Sequence, residues 1–138
     1  MQKKTVTQLQ RTIDANFNRA KEGLRVCEDV CRFIYDDPKL TRRYKVIRHR
    51  LTEVIAGLKI LNIIRSRDIA GDVGKKTIPA ELRRQGIGDV FYANSQRVKE
   101  SVRVLEEFTK LLDTKLAPEL KRLRYQLYAL EKEIVERR

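Results

Sequence analysis

Two stretches of the chain repeat the same polar residues in the same order, and their types suit recognition of a small anion. Residues 15–29 read ANFNRAKEGLRVCED, residues 93–107 read ANSQRVKESVRVLEE, and 8 of the 15 aligned positions are identical. Arginine binds phosphate through paired N–H groups and keeps its charge when desolvated, and asparagine offers a donor and an acceptor to a heterocycle. Candidate ligand-binding residues are therefore Asn16, Arg19, Asn94 and Arg97. The alternative is a polar network that ties helices together.

A second candidate is the stretch RDIAGDVGK at residues 67–75. Glycines allow backbone N–H groups to approach phosphate oxygens, and two aspartates four residues apart could hold Mg²⁺. The stretch lacks the GxxxxGK[ST] pattern of a Walker A loop, and aspartate is also a common turn former. The residues of interest are Arg67, Asp68, Gly71, Asp72, Gly74 and Lys75.

His49 is the only histidine and therefore the only conventional general acid or base. A structural or exposed histidine is the alternative interpretation. The only cysteines, Cys27 and Cys31, lie four residues apart. This spacing predicts that both pack on one helix face as core residues, and it supports neither a closed zinc site nor an undistorted disulfide.

The elements that must position these residues are all predicted to be helical. Apolar residues recur at 3- and 4-residue steps along the chain, and no strand pattern is present. Met1–Thr7 is expected to be a frayed lead-in, and Leu58 and Leu61 are expected to complete the core stripe of the second helix. The predicted helices are residues 7–35, 38–65, 89–113 and 118–136, with a short helix at 79–85.

The repeat extends over a whole helical hairpin, because Arg124-Tyr125 matches Arg48-His49 at a shift of 76 residues. The expected fold is one domain over residues 1–138, an all-α bundle of four long helices. Two repeated hairpins, 7–65 and 89–136, are joined by the loop 66–88 and related by a pseudo-twofold axis. The two signature helices should then face each other and bring the Asn and Arg pairs together. A mid-helix glycine, Gly23, indicates that either a partner helix or a ligand packs closely at that point.

The formal net charge of +12 attracts anions such as phosphorylated metabolites or nucleic acid. Basic residues alternate with acids at helical spacing, which favours ion pairs on helix surfaces over a phosphate-binding stripe. No signal peptide and no apolar run of about 20 residues is present, so we expect a cytoplasmic chain without membrane contact. The sequence leaves the oligomeric state open, a homodimer included.

Five strings together resemble a known family. They are Asp14 to Phe33, Arg48 to Leu51, Arg67 to Gly74, Ala93 to Glu107 and Arg124 to Glu131. In this order they are similar to the small monofunctional hydroxymethylpyrimidine phosphate kinases of bacterial thiamine biosynthesis, a domain also found fused to thiamine phosphate synthase. The resemblance covers about residues 11–131. We expect this copy to stand alone, without a synthase domain after residue 138, and Gln96 and Ser101 depart from the residues expected in the second copy.

The resemblance implies ATP-dependent phosphorylation of 4-amino-5-hydroxymethyl-2-methylpyrimidine phosphate, with ATP and Mg²⁺ as cofactors. It gives no catalytic assignment, so the roles rest on the residue pattern. Cations would come from Arg19, Arg97, Arg48 and Lys75, with Arg67, Gly71 and Gly74 beside the nucleotide. Asp68 or Asp72 would hold the metal, and Asn16 or Asn94 the aminopyrimidine edge. Glu22 or Glu100 would orient the attacking oxygen, and His49 is retained as a catalytic candidate.

Two other functions remain open at this point. One is a basic helical protein that binds nucleic acid, although only Tyr92 and Tyr125 are placed for base stacking and tryptophan is absent. The other is a further all-helical enzyme of a small anionic metabolite, similar to helical chorismate mutases in having an arginine-lined bundle.

Overall fold

The computed structural model describes residues 1–137, so the end of the predicted domain, Arg138, lies outside the described residues. No strand occurs in the described range, which confirms the all-α class. Five α-helices, a π-helical turn and a 3₁₀ turn follow one another along the chain. They are α1 (Lys3–Asp29), the π-helical turn (Val30–Ile34), α2 (Pro38–Ile55), α3 (Ile60–Arg65), the 3₁₀ turn (Pro79–Leu82), α4 (Ile87–Thr109) and α5 (Leu116–Glu136).

Helix α1 begins at Lys3, so the frayed lead-in expected at Met1–Thr7 is wrong. Its predicted apolar stripe is buried. The helix widens into the π-helical turn, and the chain then reverses through Asp36, whose φ of 48° is the only positive value at a non-glycine residue in the described range. Asp37 begins α2 by accepting a hydrogen bond from the Leu40 backbone N–H at 2.9 Å, with Pro38 in the first turn.

The single helix predicted for residues 38–65 is interrupted at residues 56–59. The turn is closed by Gly57 N–H donating to Val54 C=O at 3.2 Å. A Cβ atom on Gly57 would lie 3.4 Å from the Leu116 side chain, so the tight turn also lets α5 begin close by. Because the break changes the helical phase, Ile63 is buried and Leu61, which the continuous pattern placed in the core, is 65% exposed.

Helix α1 packs most extensively against α4, and the closest approach is at Gly23. A Cβ atom there would lie 2.6 Å from Val98 Cγ2 and 3.1 Å from the Asn94 carbonyl oxygen. Cys27 Sγ lies 3.9 Å from the Phe91 carbonyl oxygen, so the two helices run antiparallel. The close contact predicted from a glycine in mid-helix is confirmed.

Equivalent ion pairs connect α1 to α2 and α4 to α5. Glu28 binds Arg48 Nε at 3.1 Å, and Glu106, which follows Glu28 by 78 residues, binds Arg124 through both carboxylate oxygens. These contacts occur at repeated positions, but the pseudo-twofold arrangement of two hairpins stays a prediction.

The charged surface carries ion pairs between residues three or four positions apart, as the alternation of acids and bases predicts. Examples are Arg50–Glu53 at 3.1 Å and Arg103–Glu107 at 3.0 Å. None of the helices within residues 1–137 combines the length and apolar character required to cross a bilayer. Both cysteines are free thiols buried in the core, as predicted.

Candidate functional site

The antiparallel crossing of α1 and α4 leaves an open groove of about 460 Å³ on one side, here called the α1–α4 groove. Arg19 from α1 and Arg97 from α4 both border it, so residues 78 positions apart in the sequence meet at one site. The remaining lining residues are Asn16, Glu81, Glu100, Ser101 and Val104.

Asn16 is the buried polar group of this groove, only 6% exposed. Its Nδ2 donates to the Thr12 carbonyl oxygen at 2.9 Å, which fixes the amide and leaves Oδ1 as an acceptor. Ser101 is buried beside it, whereas Arg19 and Arg97 are exposed at the rim. The groove therefore combines a fixed amide acceptor with two solvated guanidinium groups.

Asn94 does not line the α1–α4 groove, contrary to the expected meeting of both Asn–Arg pairs. Its Nδ2 donates to the Val90 carbonyl oxygen at 2.8 Å, the same bond one turn back that Asn16 makes. Helices α1 and α4 run antiparallel, so residues before the crossing on one helix lie beside residues after it on the other. Asn16 and Asn94 each precede the crossing on their own helix, and they are therefore at opposite ends of the contact. Asn94 consequently lies against Gly23.

A second groove of about 730 Å³ lies between α1 and the segment that follows α3; we call it the loop groove. Asp14, 5% exposed, receives Arg67 Nε and Nη2 at 2.7 Å each. These hydrogen bonds raise the pKa of Arg67 above its usual value. Arg11 Nη2 also reaches the Asp68 carbonyl oxygen at 3.5 Å. The loop is thus fixed to α1 at one end, although residues 67–83 are all exposed.

Asp68 and Asp72 both line the loop groove, as does Glu22. Asp68 Oδ1 accepts from Gly71 N–H and Asp72 Oδ1 from Gly74 N–H, each at 2.9 Å. These N–H groups are therefore occupied by carboxylates, and phosphate binding by the glycines would require the two turns to open.

Lys75 is exposed and lines neither groove. The geometry thus brings the loop's two aspartates to α1 but leaves its lysine outside the grooves.

No group of three or more His, Cys, Asp or Glu side chains in residues 1–137 is arranged to hold a metal ion. The aspartates of the loop groove nevertheless each keep one oxygen free of loop hydrogen bonds. Mg²⁺ that arrives on a nucleotide needs only one or two carboxylates, because water and phosphate complete its octahedral shell. Asp68 and Asp72 fit that requirement.

Arg19 lines both the α1–α4 groove and the loop groove. It is the only residue common to the two lining sets. One exposed guanidinium group therefore stands between a groove with a buried amide and a groove with two aspartates.

Two predicted site residues lie elsewhere. Arg48 Nε binds Glu28 and lines a third groove between the end of α1 and α2. His49 is exposed on α2 and lines none of these three grooves. Their position in the sequence repeat indicated importance, but neither residue lines a groove that contains Arg19.

Several polar residues that line the grooves were not selected from the sequence, among them Asp14, Ser101 and Glu81. Asp14 could have been found, because it directly precedes the repeated Ala-Asn pair and a buried acid requires a cationic partner. Ser101 replaces Gly23 in the repeat and was treated as a departure rather than a contact. Glu81 lies on the 3₁₀ turn, and no local pattern indicates that this turn covers the α1–α4 groove.

Comparison with known proteins supplies the context for these grooves. The model of the ThiD2 family matches residues 11–133. A thiamine-phosphate synthase of Nostoc punctiforme is 40% identical over 136 residues, covering 97% of this chain and 38% of that protein. A thiamine-phosphate synthase of Synechocystis sp. is 39% identical over 132 residues, covering 95% and 37%. One from Rhodopirellula baltica is 40% identical over 125 residues, covering 90% and 33%.

The chain spans about a third of the length of these relatives, and it is homologous to the N-terminal part of the cyanobacterial ones. No solved structure matches the chain.

Proposed function

Because the chain belongs to the ThiD2 family, we propose that it acts in thiamine biosynthesis as an ATP-dependent kinase. It converts hydroxymethylpyrimidine phosphate to the diphosphate, the activity that the resemblance of its repeated strings implies. The observation that carries this proposal is the position of Arg19, which borders both the α1–α4 groove and the loop groove.

The α1–α4 groove suits the pyrimidine phosphate. Asn16 Oδ1 accepts from the exocyclic amino group of the pyrimidine, because its Nδ2 is already held by Thr12. Arg97 binds the substrate phosphate from the α4 side. A substrate without that phosphate leaves two facing guanidinium groups unneutralised, which explains a requirement for the phosphorylated form.

The loop groove suits the nucleotide phosphates. Asp68 and Asp72 would hold Mg²⁺, which supplies charge neutralisation to the phosphates when it is bound. Asp14 keeps Arg67 at the base of the loop, so the two aspartates are delivered to α1 rather than to solvent.

Arg19 then contacts the phosphoryl group as it passes between the grooves. An oxygen of the substrate phosphate attacks the γ-phosphorus, the bond from that phosphorus to the β,γ-bridging oxygen breaks, and ADP leaves with the electron pair. Phosphoryl transfer depends on positioning and on stabilising charge on the equatorial oxygens, which a guanidinium group does well. Glu100, on the groove wall, orients the substrate through a bridging water.

No general base is needed for this reaction. Phosphate monoesters lose their second proton near pH 6, so the attacking oxygen carries no proton at neutral pH. The remote, exposed position of His49 is consistent with this chemistry.

The direct test is an ATP-consumption assay with the phosphorylated and the free hydroxymethylpyrimidine. We expect turnover with the phosphorylated compound only, and no turnover with it would refute the proposal. Arg19→Ala should lower kcat by at least about 100-fold, the usual effect of losing a transition-state donor. Arg97→Ala should chiefly raise KM for the pyrimidine.

Arg122→Ala is the matched control, because Arg122 is exposed on α5 and lines none of the three grooves. Its kinetic constants should stay within about twofold of the parent protein. Circular dichroism melts accompany every variant. Unfolding of Arg19→Ala would instead indicate that Arg19 serves a structural polar network.

A further inference from the structure

The third groove, which we call the basic groove, has a volume of about 740 Å³ and lies between the end of α1 and the first turns of α2. It shares no lining residue with the α1–α4 groove or the loop groove. Five of its ten lining side chains are cations and three are acids. The cations are Arg25, Arg32, Arg42, Lys45 and Arg48.

The cations form two facing rows because of helical spacing. Arg25 on α1 and Arg32 in the π-helical turn both line the groove from the first wall. Arg42, Lys45 and Arg48 follow at three-residue steps on α2 and lie along one face over about 9 Å. The groove is therefore basic on both walls and over successive turns.

A buried carboxylate fixes one end of these rows. Glu28, 2% exposed, receives Arg48 Nε at 3.1 Å and Arg25 Nη1 at 3.4 Å. The two guanidinium groups are thereby oriented without a ligand, which lowers the ordering cost of binding one.

The remaining cations of the basic groove are not neutralised by the protein. Arg42 and Lys45 have no ion-pair or hydrogen-bond partner among residues 1–137, and Arg32 contacts only the Phe33 ring. Of the groove's two other acids, Asp37 is occupied by the Leu40 N–H and by Arg137, and Asp36 forms no ion pair with these cations. Like charges held in one groove repel one another, and a bound anion would remove that cost.

The backbone beside the groove is also unusual. The π-helical turn ends at Ile34, and Asp36 adopts a left-handed conformation that a non-glycine residue rarely uses. Such turns occur frequently at ligand sites. Here they place Arg32 and Asp36 at the mouth of the groove.

We propose that the basic groove is a second anion site, separate from the kinase site, and that its ligand carries a diphosphate group. One phosphate can contact the cations of a single turn, whereas two linked phosphoryl groups reach cations on successive turns of both walls. Arg48 therefore serves this groove and not the nucleotide of the proposed kinase reaction.

Binding of inorganic pyrophosphate, measured by isothermal titration calorimetry at fixed ionic strength, tests the proposal. Four proteins are compared: the parent, Arg42→Ala/Lys45→Ala, Arg19→Ala and Lys3→Ala/Lys4→Ala. The last variant is the charge-matched control, because it loses the same two positive charges as the groove variant but at positions about 33 Å along α1 from Arg25. Both altered groove residues are exposed, so their removal should leave the fold intact, which a thermal melt checks.

We expect pyrophosphate to bind the parent protein more tightly than inorganic phosphate does. The groove variant should bind it at least about tenfold more weakly, and the other two variants should stay within about twofold.

Several outcomes would overturn the inference. They are no pyrophosphate binding to the parent, equal binding of phosphate, unchanged binding in the groove variant, or an equal loss in the charge-matched control. Loss in Arg19→Ala alone would place pyrophosphate at the kinase site instead. Because the readout is binding and not turnover, a failed kinase assay does not affect this test.

Discussion

Asp14 accepts two hydrogen bonds from Arg67, each with an N···O distance of 2.7 Å, although 53 residues separate them in the sequence. The carboxylate, which belongs to α1, is buried, and the guanidinium group is partly exposed. This contact determines where the loop of residues 67–75 begins its course beside α1. The loop groove therefore depends on one charged pair more than on apolar packing.

Asp14→Asn should detach the loop without unfolding the bundle. The amide keeps the shape of the side chain but loses the charge that holds Arg67. We expect faster hydrogen–deuterium exchange at residues 67–75 and about tenfold lower kcat/KM for ATP, since misplaced binding groups lose effective molarity. Arg50→Ala, which removes another partly exposed arginine from its ion pairs, is the control and should leave both quantities unchanged. Unchanged exchange in Asp14→Asn would show that the pair does not hold the loop.

Gly23→Ala should destabilise the protein, although alanine favours helices. An added Cβ would lie 2.6 Å from Val98 Cγ2 and 3.1 Å from a backbone oxygen, so α1 and α4 must separate. Overpacking of this kind costs about 1–3 kcal/mol, which exceeds the gain of about 1 kcal/mol in helix propensity. Chemical denaturation monitored by circular dichroism measures the difference.

Two further variants make the test of the Gly23 contact specific. Val98→Ala should recover part of the loss when combined with Gly23→Ala, because it removes the methyl group that clashes. Gly86→Ala should change stability little, since an added Cβ there meets nothing within 4 Å. Equal losses at Gly23 and Gly86 would contradict the close-contact explanation.

The α1–α4 contact illustrates what the sequence could and could not provide. The repeat predicts that the two signature helices face each other, and Gly23 predicts a close contact with either a helix or a ligand. Their antiparallel direction was not included in the residue-level prediction, so Asn94 was assigned to the same groove as Asn16. The relative direction of the two packed helices decides which repeated residues lie close together, and local helix propensity does not determine that direction.

The break between α2 and α3 is a second instructive difference. Apolar residues continue at helical spacing through residues 54–61, so periodicity alone predicts one helix. Leu116, which is distant in sequence, lies beside the turn at Gly57, and periodicity within one segment carries no information about that contact. The grooves show the same dependence on distant contacts. Asp14 binds Arg67, which is 53 residues away in the sequence. Glu81 reaches the α1–α4 groove from a 3₁₀ turn that has no strong local sequence signal.

The buried pair Glu106–Arg124 should matter more to stability than its repeat counterpart Glu28–Arg48. Glu106 and Arg124 side chains are 4% and 10% exposed, whereas Arg48 is 17% exposed and shares Glu28 with the more exposed Arg25. Glu106→Gln leaves a buried guanidinium group without its counter-charge and should cost about 3 kcal/mol. Glu28→Gln should cost about 1 kcal/mol, because water can solvate its arginines.

A double-mutant cycle distinguishes pairing from packing at this site. Glu106→Gln combined with Arg124→Met removes both charges and keeps most of the side-chain volume. We expect the double variant to be more stable than the sum of the two single losses predicts. Strict additivity would mean that the two residues contribute independently to stability. The interaction free energy of the Glu106–Arg124 ion pair would then be zero.

The buried thiol of Cys31 should make the protein less stable at alkaline pH. Burial raises the pKa of Cys31 from 9.0 to about 11, an effect that Arg137 partly opposes and Glu28 reinforces. Between these values the unfolded chain loses the thiol proton while the folded chain retains it, so the free energy of unfolding falls as pH rises. The stabilisation is complete below pH 9 and is lost progressively up to about pH 11. At pH 10 the expected loss from this group is on the order of 1 kcal/mol.

Urea denaturation of the parent protein and of Cys31→Ala at pH 7, 8, 9 and 10 isolates the contribution of this thiol. The other titrating groups, including Cys27 and Tyr44, whose pKa values burial also raises, remain in both proteins. The difference in the free energy of unfolding between the parent and Cys31→Ala should therefore be constant up to pH 8 and smaller at pH 10. Parallel curves over the whole range would show that Cys31 ionises equally in the folded and unfolded chain.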